Sequence, residues 1–170
     1  MTKPVVLFVC LHNAGRSQLA AGLAAHSAGS RVEVLSAGTE PDERVDPVAL
    51  ASLAELGIDR SDQTPTRLTD DLLDRADVVV TLKPGLDLPH RSGVRYENWP
   101  LPDPQGWDLD GIRPLRDHLD GRVHHLLGDL IHPDHSHPDE TLHPSSPPAP
   151  ARALTPAGVT PAPLDDEEIR

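Results

Sequence analysis

The feature that most restricts the fold of this chain is a run of five consecutive apolar residues, Val5 to Val9. A short run without polar alternation is typical of a strand that is buried on both faces, as in a parallel sheet. Three further segments predict strands: Val32 to Leu35, Val78 to Leu82 and Val94 to about Leu101. We therefore expect four strands in the core of the molecule.

Helical patterns separate the predicted strands. Apolar residues recur at helical spacing over residues 17–28, 46–56, 69–75 and about 110–131. Pro114 is tolerated only in the first turn of a helix, which favours a start of the last helix nearer Ile112. Strands that alternate with helices indicate an α/β fold with a parallel sheet and right-handed crossovers, in which ligands bind beyond the carboxyl ends of the strands.

Proline divides the 170-residue chain unevenly. Nine of the 19 prolines lie in residues 133–170, among Ser, Thr, Ala and acidic residues. Proline lacks the amide donor that helices and sheets use, and few large apolar side chains are present there to offset the entropy of folding. We predict one folded domain over residues 1–132 and a disordered, acidic, Pro-rich tail over residues 133–170.

Charge and cysteine content exclude several classes of protein. The formal net charge of −12 disfavours nucleic acid and anionic membranes as partners. No apolar run approaches the ~20 residues of a membrane span. The apolar start of the chain lacks the cleavage signature of a signal peptide, so we expect a cytoplasmic protein. The single cysteine, Cys10, rules out an internal disulfide and any multi-cysteine zinc site, and we predict no metal site.

The first predicted strand ends at Cys10 and is followed directly by a tight loop and the start of a helix. Such a loop can turn backbone N–H groups inward as an anion-binding nest, and a helix N-terminus adds positive charge that favours a thiolate. Arg16 can clamp two oxygens of a tetrahedral oxyanion, and Ser17 can donate its hydroxyl to the sulfur. The predicted oxyanion-binding residues are Leu11, His12, Asn13, Ala14, Gly15, Arg16 and Ser17.

Residues of this loop also have simpler interpretations. A lone cysteine at a strand end is commonly a buried small apolar residue, but the pattern Cys-x-x-Asn-x-x-Arg-Ser between a strand and a helix favours a nucleophile. Asn13 and Gly15 tolerate the left-handed backbone that a tight loop needs. We expect His12 to shape the loop rather than to act in acid–base catalysis.

A second segment, Leu101 to Pro104, follows the fourth predicted strand on a loop stiffened by prolines. A parallel sheet brings this loop to the same edge as Cys10, where Asp103 can protonate a leaving oxygen as a general acid. The alternative is that Asp103 only caps a turn. Trp99 and Trp107 flank this segment, either as walls of a pocket or as packed core residues.

Taken together, these motifs resemble the low-molecular-weight protein tyrosine phosphatase and arsenate reductase superfamily over about residues 4–131. The matching segments are residues 9–18, 36–39, 46–47, 56–59 and 101–104. The resemblance implies a four-stranded parallel sheet in flavodoxin-like order with helices on both faces. It also implies Cys10 as nucleophile, Arg16 as oxyanion clamp, Ser17 as partner of the thiolate and Asp103 as acid.

Within this superfamily the chain resembles the arsenate reductases more than the phosphatases. Gln18 follows Ser17, as is common in arsenate reductases, whereas phosphatases usually have Pro there. Gln105 and Gly106 stand where phosphatases often carry tyrosines that line a slot for an aromatic ring. Thioredoxin-coupled arsenate reductases use further cysteines near the end of the third strand, but residues 81–85 contain none.

The remaining pattern resembles single-cysteine arsenate–thiol transferases, which implies an external thiol and a redoxin as partners and no bound cofactor. Arginine outnumbers lysine by 13 to 2, a bias that is typical of GC-rich codons and therefore of a high-GC bacterium. Such a source is compatible with mycothiol, which we favour as the thiol, and also with bacillithiol or glutathione. We therefore predict an arsenate reductase that hands the arsenical from Cys10 to such a thiol. The alternatives are a low-molecular-weight protein tyrosine phosphatase and a non-catalytic oxyanion-binding module.

Overall fold

Four parallel strands form one sheet in the order β2-β1-β3-β4 in a computed structural model that describes residues 3–132. The strands are β1 (Val5–Cys10), β2 (Glu33–Gly38), β3 (Val78–Thr81) and β4 (Arg95–Asn98). The helices are α1 (Arg16–Ala28), α2 (Pro47–Ala54), α3 (Asp70–Arg75) and α4 (Leu109–Ile131), and Gly29–Arg31 form a short 3-10 helix. The predicted α/β fold with flavodoxin-like strand order is confirmed.

Strand β1 lies inside the sheet and pairs with both β2 and β3. Val6 and Phe8 point to one face of the sheet, and Leu7 and Val9 to the other, and none of the four is exposed to solvent. The uninterrupted apolar run therefore supplies two hydrophobic cores at once, as expected for a strand that is covered on both sides.

Helices cover both faces of the sheet. The larger core contains α1, α2 and α4, with Ala20 and Ala24 of α1 fully buried beneath the sheet residues. The smaller core contains Leu73 of the short helix α3, packed against Leu7 and Val9 of β1. Small side chains on α1 let this helix lie close to the sheet, which compensates for the low aromatic content of the chain.

The start of α4 differs from the prediction. The helix begins at Leu109 rather than near Ile112, so Pro114 lies in its second turn. Asp108 explains this start, because its carboxylate accepts the N–H of Gly111 at 2.8 Å and its carbonyl accepts the N–H of Ile112 at 3.1 Å. Asp108 therefore caps the first turn of the helix. Pro114 has no N–H to donate, so it interrupts the helical hydrogen bonds only after this turn has formed.

Backbone hydrogen bonds bring the chain that follows β4 back toward the end of β1. The N–H of Leu82 donates to the carbonyl of Val9 at 2.8 Å, and the N–H of Leu101 donates to the carbonyl of Leu82 at 3.1 Å. Strand β4 therefore ends at Asn98, earlier than predicted, because the following residues turn across the edge of the sheet. The segment from Leu101 onward is placed beside the loop that follows Cys10.

Two predictions concern the limits of the fold. No helix within residues 3–132 is long and apolar enough to cross a membrane. The tail predicted for residues 133–170 lies outside the described residues, so the division of the chain at residue 132 stays a prediction.

Candidate active site

The sulfur of Cys10 lies at the base of the loop that joins β1 to α1. Cys10 is 2% exposed, and its Sγ accepts the backbone N–H of Asn13 at 3.3 Å. The Oγ of Ser17 lies 3.0 Å from the same sulfur. Asn13 Nδ2 donates to Ser17 Oγ at 2.6 Å, which leaves the Ser17 hydroxyl hydrogen free to point at the sulfur. One backbone N–H and one hydroxyl thus lie within hydrogen-bonding distance of the sulfur and fix its position at the base of the loop.

The loop carbonyls are bound from outside by the segment after β2. The carbonyls of Leu11, His12 and Ala14 accept backbone N–H groups of residues 40, 42 and 46, at 2.7, 3.0 and 3.0 Å. Because these carbonyls face the 40–46 segment, the opposing N–H groups of the loop are left available to an anion. The backbone of this loop therefore has the polarity that an oxyanion requires, next to the N-terminus of α1.

Arg16, the first residue of α1, places a buried guanidinium beside the sulfur loop. Its Nη1 donates to the carbonyl of Leu101 at 2.9 Å, and its Nη2 lies 4.0 Å from Asp103 Oδ2. Arg16 as a whole is 4% exposed. The Leu101 carbonyl, which the sequence pattern did not single out, holds the fork of the guanidinium in place for two oxygens of a tetrahedral ligand.

Asp103 makes the turn-capping contact and also faces Arg16. Its Oδ1 accepts the N–H of Gln105 at 3.0 Å, which is the turn-capping contact. Its Oδ2 is directed toward Arg16, and the side chain is 45% exposed at the edge of the pocket. One oxygen therefore fixes the carboxyl group and the other remains available to carry a proton to a leaving oxygen. The catalytic role of Asp103 stays a prediction.

A pocket of about 290 Å³ lies over Cys10 and Arg16. His12, Ala14 and Gly15 form part of its wall, and the remainder comes from residues 42, 44–47 and 103–106. Leu11, Asn13 and Ser17, although predicted to bind the oxyanion, do not line it. Asn13 and Ser17 are fully buried behind the loop and contact the sulfur instead, and Leu11 contributes its carbonyl to the 40–46 segment.

The two tryptophans near Asp103 serve packing rather than the pocket. Trp99 is 3% exposed and contacts Phe8, with ring centroids 5.9 Å apart, while the guanidinium carbon of Arg122 lies 5.5 Å from the Trp99 ring centroid. Trp107 packs against the larger core. Within residues 3–132, no Phe, Tyr or Trp lines the pocket over Cys10.

Gly15 is required for close packing and not, as predicted, for a left-handed backbone. Asn13 does adopt a left-handed conformation, with φ 52°, but Gly15 does not, with φ −120°. A Cβ on Gly15 would lie 3.0 Å from Pro104 Cγ, so its absence lets the Asp103 loop approach the sulfur loop.

His12 joins the loop to the 40–46 segment through its side chain. Its Nδ1 lies 3.1 Å from the carbonyl of Glu40, which can only accept, so Nδ1 is the donor in this bond. The same nitrogen lies 3.5 Å from Asp42 Oδ1. These contacts fit a part in shaping the loop.

The sequence profile of the low molecular weight phosphotyrosine protein phosphatase family matches residues 5–87. A glutaredoxin arsenate reductase from Synechocystis sp. is 37% identical over 128 residues, which cover 74% of this chain and 97% of that protein. The chain belongs to this family. Among its members, the relatives that resemble this chain carry the name arsenate reductase.

Solved structures of arsenate reductases share the fold of this family member. A thioredoxin-dependent arsenate reductase from Corynebacterium glutamicum is 41% identical, with a TM-score of 0.68 over 75% of this chain. This chain spans 62% of the length of that protein. An arsenate reductase in the phosphate-binding state is 36% identical, with a TM-score of 0.69 over 75% of this chain and 98% of the other.

Proposed function

We propose that this chain is an arsenate reductase that transfers the arsenical from Cys10 to an external low-molecular-weight thiol. The observation that carries the proposal is the placement of the one thiol in the whole sequence. Cys10 lies at the base of the loop, 3.0 Å from Ser17 Oγ, and lines the same pocket as Arg16. No second cysteine exists that could complete an internal disulfide. Cys10 can therefore act as a nucleophile toward arsenate. Completion of the reduction requires a second sulfur, which must come from outside the chain.

In the first step, the Cys10 thiolate attacks arsenic(V), and a sulfur–arsenic bond forms as an arsenic–oxygen bond breaks. The loop N–H groups and Arg16 hold the oxygens of arsenate, and Asp103 gives its proton to the departing oxygen, which leaves as water. No electrons are transferred to arsenic in this step, so the product is an arsenic(V) adduct of Cys10.

In the second step, the sulfur of the small thiol attacks arsenic and displaces Cys10 as a thiolate. The arsenical, still arsenic(V), leaves on the small thiol. The thiolate of a redoxin then attacks the sulfur of this conjugate, and the electron pair of the sulfur–arsenic bond passes to arsenic. The products are arsenic(III) and a mixed disulfide between the redoxin and the small thiol.

The charges around the pocket favour an uncharged thiol. Three carboxylates line it, those of Asp42, Asp46 and Asp103, against the two guanidinium groups of Arg16 and Arg44. Arg16 is already committed to the oxyanion, so a thiol that carries further carboxylates meets a negative wall. Mycothiol bears hydroxyl groups and no carboxylate, which supports it as the co-substrate. Such thiols and their redoxins are kept reduced in the cytoplasm, where we expect the protein to act.

The thioredoxin-dependent relative from Corynebacterium glutamicum provides a contrast within the same fold. Thioredoxin acts on a disulfide, and this chain has one cysteine, so it forms no internal disulfide for thioredoxin to reduce. A mixed sulfur–arsenic conjugate carried by a small thiol provides the alternative substrate for a redoxin.

The direct test compares arsenate turnover over a panel of thiols with hydrolysis of para-nitrophenyl phosphate by the same enzyme. We expect arsenate turnover with a thiol and slow aryl phosphate hydrolysis, because the pocket lacks the aromatic walls that would hold a phenyl ring. Cys10→Ser serves as the control and should abolish both activities. Rapid aryl phosphate hydrolysis without arsenate turnover would assign a phosphatase, and oxyanion binding without any turnover would assign a binding module.

A further inference from the structure

Arg60 lies behind the sulfur loop and is not part of any motif that the function uses. Its Nη2 donates to Gln18 Oε1 at 3.1 Å. Its Nε is buried and has no hydrogen-bond partner within residues 3–132. Burial lowers the pKa of the Arg60 guanidinium, yet arginine remains charged at every physiological pH. Among residues 3–132 the charge of Asp62 favours the Arg60 cation, but no carboxylate forms an ion pair with it. A partly desolvated cation without an ion-pair partner is costly unless the site gains from the charge.

Helix α1 is shaped to receive this side chain. A Cβ on Gly22 would lie 2.9 Å from Leu53 Cδ1, 3.3 Å from Arg60 Cγ and 3.4 Å from Arg60 Cδ, so the missing side chain makes room for the arginine stem as well as for Leu53. Gln18 stands four residues before Gly22 and therefore on the same face of the helix. The stem of Arg60 lies over Gly22 and its head reaches Gln18.

From Gln18 a chain of hydrogen bonds leads to the nucleophile. Gln18 Nε2 donates to both the carbonyl and the Oδ1 of Asn13, each at 3.2 Å. Asn13 in turn donates to Ser17 Oγ and to Cys10 Sγ, as described above. Because Arg60 occupies Gln18 Oε1, the amide of Gln18 is fixed with its Nε2 toward Asn13.

We infer that Arg60 is a positioning residue for the chemistry of Cys10, acting through Gln18 and Asn13 and lending its positive charge to the anionic sulfur and oxyanion. The inference rests on the proposed function for its role in arsenate reduction, but its effect on the sulfur exists without arsenate. Arg60 has no ion-pair partner of its own within residues 3–132, so a thiolate or a bound anion in the loop adds a favourable interaction to that of Asp62. The hydrogen-bonded chain fixes Asn13 in its left-handed conformation, on which both contacts to Ser17 and Cys10 depend.

The test measures the rate of alkylation of Cys10 by iodoacetamide as a function of pH, using the full chain. Arg60→Met keeps an apolar stem over Gly22 and removes the charge and the bond to Gln18. We expect its alkylation profile to move to higher pH, with the rate near pH 7 lowered about three- to tenfold, as for loss of one partly screened charge. Arg60→Lys, which retains the charge, should recover part of the rate.

Two further variants separate positioning from support of the fold. Arg31→Met removes the same charge at the opposite end of α1, where Arg31 binds backbone carbonyls, and its profile should match the wild type. Gly22→Ala crowds the Arg60 stem and, more closely, Leu53 Cδ1, and we expect its profile to shift in the same direction as Arg60→Met.

An unshifted profile in folded Arg60→Met, or the same shift in Arg31→Met, would overturn the inference. If Arg60→Met does not fold, an unshifted profile in folded Gln18→Leu, which loses the bonds to both Arg60 and Asn13, would overturn it. A shifted profile together with absence of arsenate turnover in the wild type would support the role of Arg60 and contradict the proposed function.

Discussion

At the scale of single residues, Asn13 connects the sulfur to its surroundings. Its left-handed backbone turns its N–H toward Cys10, its side-chain amide donates to Ser17, and its Oδ1 accepts the N–H of Thr66 at 2.8 Å and an N–H of Gln18. Asparagine suits this position because it tolerates φ 52° and offers both a donor and an acceptor. The orientation of the nucleophile thus depends on a residue that does not touch the pocket.

Asp103→Asn isolates the proposed general acid. The amide oxygen can still accept the N–H of Gln105, so the turn is kept, but the group cannot give up the proton that the leaving oxygen needs. We expect formation of the Cys10–arsenic adduct to slow by roughly 10²–10⁴-fold, while phosphate binding changes little. Rapid-quench mass spectrometry of the intact protein measures adduct formation.

Asp87→Asn is the matched control for this experiment, because Asp87 is exposed and lies outside the pocket over Cys10. It should form the adduct at the wild-type rate. Adduct formation at the wild-type rate in Asp103→Asn would contradict the general-acid role and leave Asp103 only its contact in the turn.

Sequence reasoning located the residues of the loop because their chemistry is local. Cys10, Arg16 and Ser17 are close in the chain, and the strand–loop–helix pattern constrains their geometry. Arg60 could not be found in this way, since it approaches Gln18 from 42 positions away and only the packing over Gly22 reveals it. The need for glycine at Gly15 was likewise hidden, because it arises from contact with Pro104 rather than from backbone conformation.

At the scale of elements, the end of β2 sets the position of the sulfur loop. A Cβ on Gly38 would lie 2.6 Å from the carbonyl oxygen of Leu11 and 2.8 Å from the backbone nitrogen of Asn13. Both neighbours are backbone atoms, which cannot move aside without shifting the loop itself. Contact between β2 and the loop therefore requires glycine at this position.

Gly38→Ala should destabilise the protein by about 1–3 kcal/mol, the usual effect of overpacking a tight site. It should also slow adduct formation on Cys10, because the displaced loop no longer aligns its donors. Urea unfolding measures the first effect and mass spectrometry the second.

Gly128→Ala on α4 provides the comparison, since a Cβ there meets no atom within 4 Å. It should stabilise the protein by about 0.5–1 kcal/mol through higher helix propensity. Equal stability of Gly38→Ala and the wild type would contradict the role assigned to Gly38.

An ion-pair cluster joins the end of α2 to α4. Glu55 accepts hydrogen bonds from Arg113 at 3.1 Å and from Arg116 at 2.7 Å, and these contacts lower the pKa of Glu55 from 4.5 to about 2. Because the pKa of Glu55 is lower in the folded state, the cluster contributes to stability above pH 4.5, and this contribution is lost as the pH falls toward 2.

Glu55→Gln should therefore be less stable than the wild type at neutral pH, and the difference should shrink as the pH falls from about 4.5 to about 2. Urea unfolding at several pH values measures this difference. Glu43→Gln, at an exposed carboxylate outside these ion pairs, should match the wild type throughout. A difference for Glu55→Gln that stays constant with pH would contradict the assignment.

The secondary structure was predictable where apolar periodicity was strong. The buried runs of β1 and β3 and the spacing of α1 predicted their bounds to within a residue. The start of α4 was placed too late because the rule for Pro114 considers the helix alone, whereas Asp108 caps the preceding turn. Strand β4 has the sequence Arg-Tyr-Glu-Asn, so its bounds depend on pairing with β3 rather than on its own pattern.

At the scale of the whole molecule, the described residues 3–132 contain both cores and every predicted site residue. We expect truncation after residue 132 to leave the melting temperature and the arsenate turnover unchanged, because the composition of residues 133–170 cannot build a core. Calorimetry and steady-state kinetics of both forms measure this. A large fall in melting temperature would show that the C-terminal segment contributes to the fold.

The most direct test of the external thiol measures the rate of NADPH consumption with arsenate and defined redox partners. Thioredoxin and its reductase alone should support little turnover, since Cys10 has no partner cysteine in the chain. Addition of mycothiol with its matching redoxin should restore turnover, and mass spectrometry should detect a thiol–arsenic conjugate. Full activity with thioredoxin alone would contradict transfer to an external small thiol.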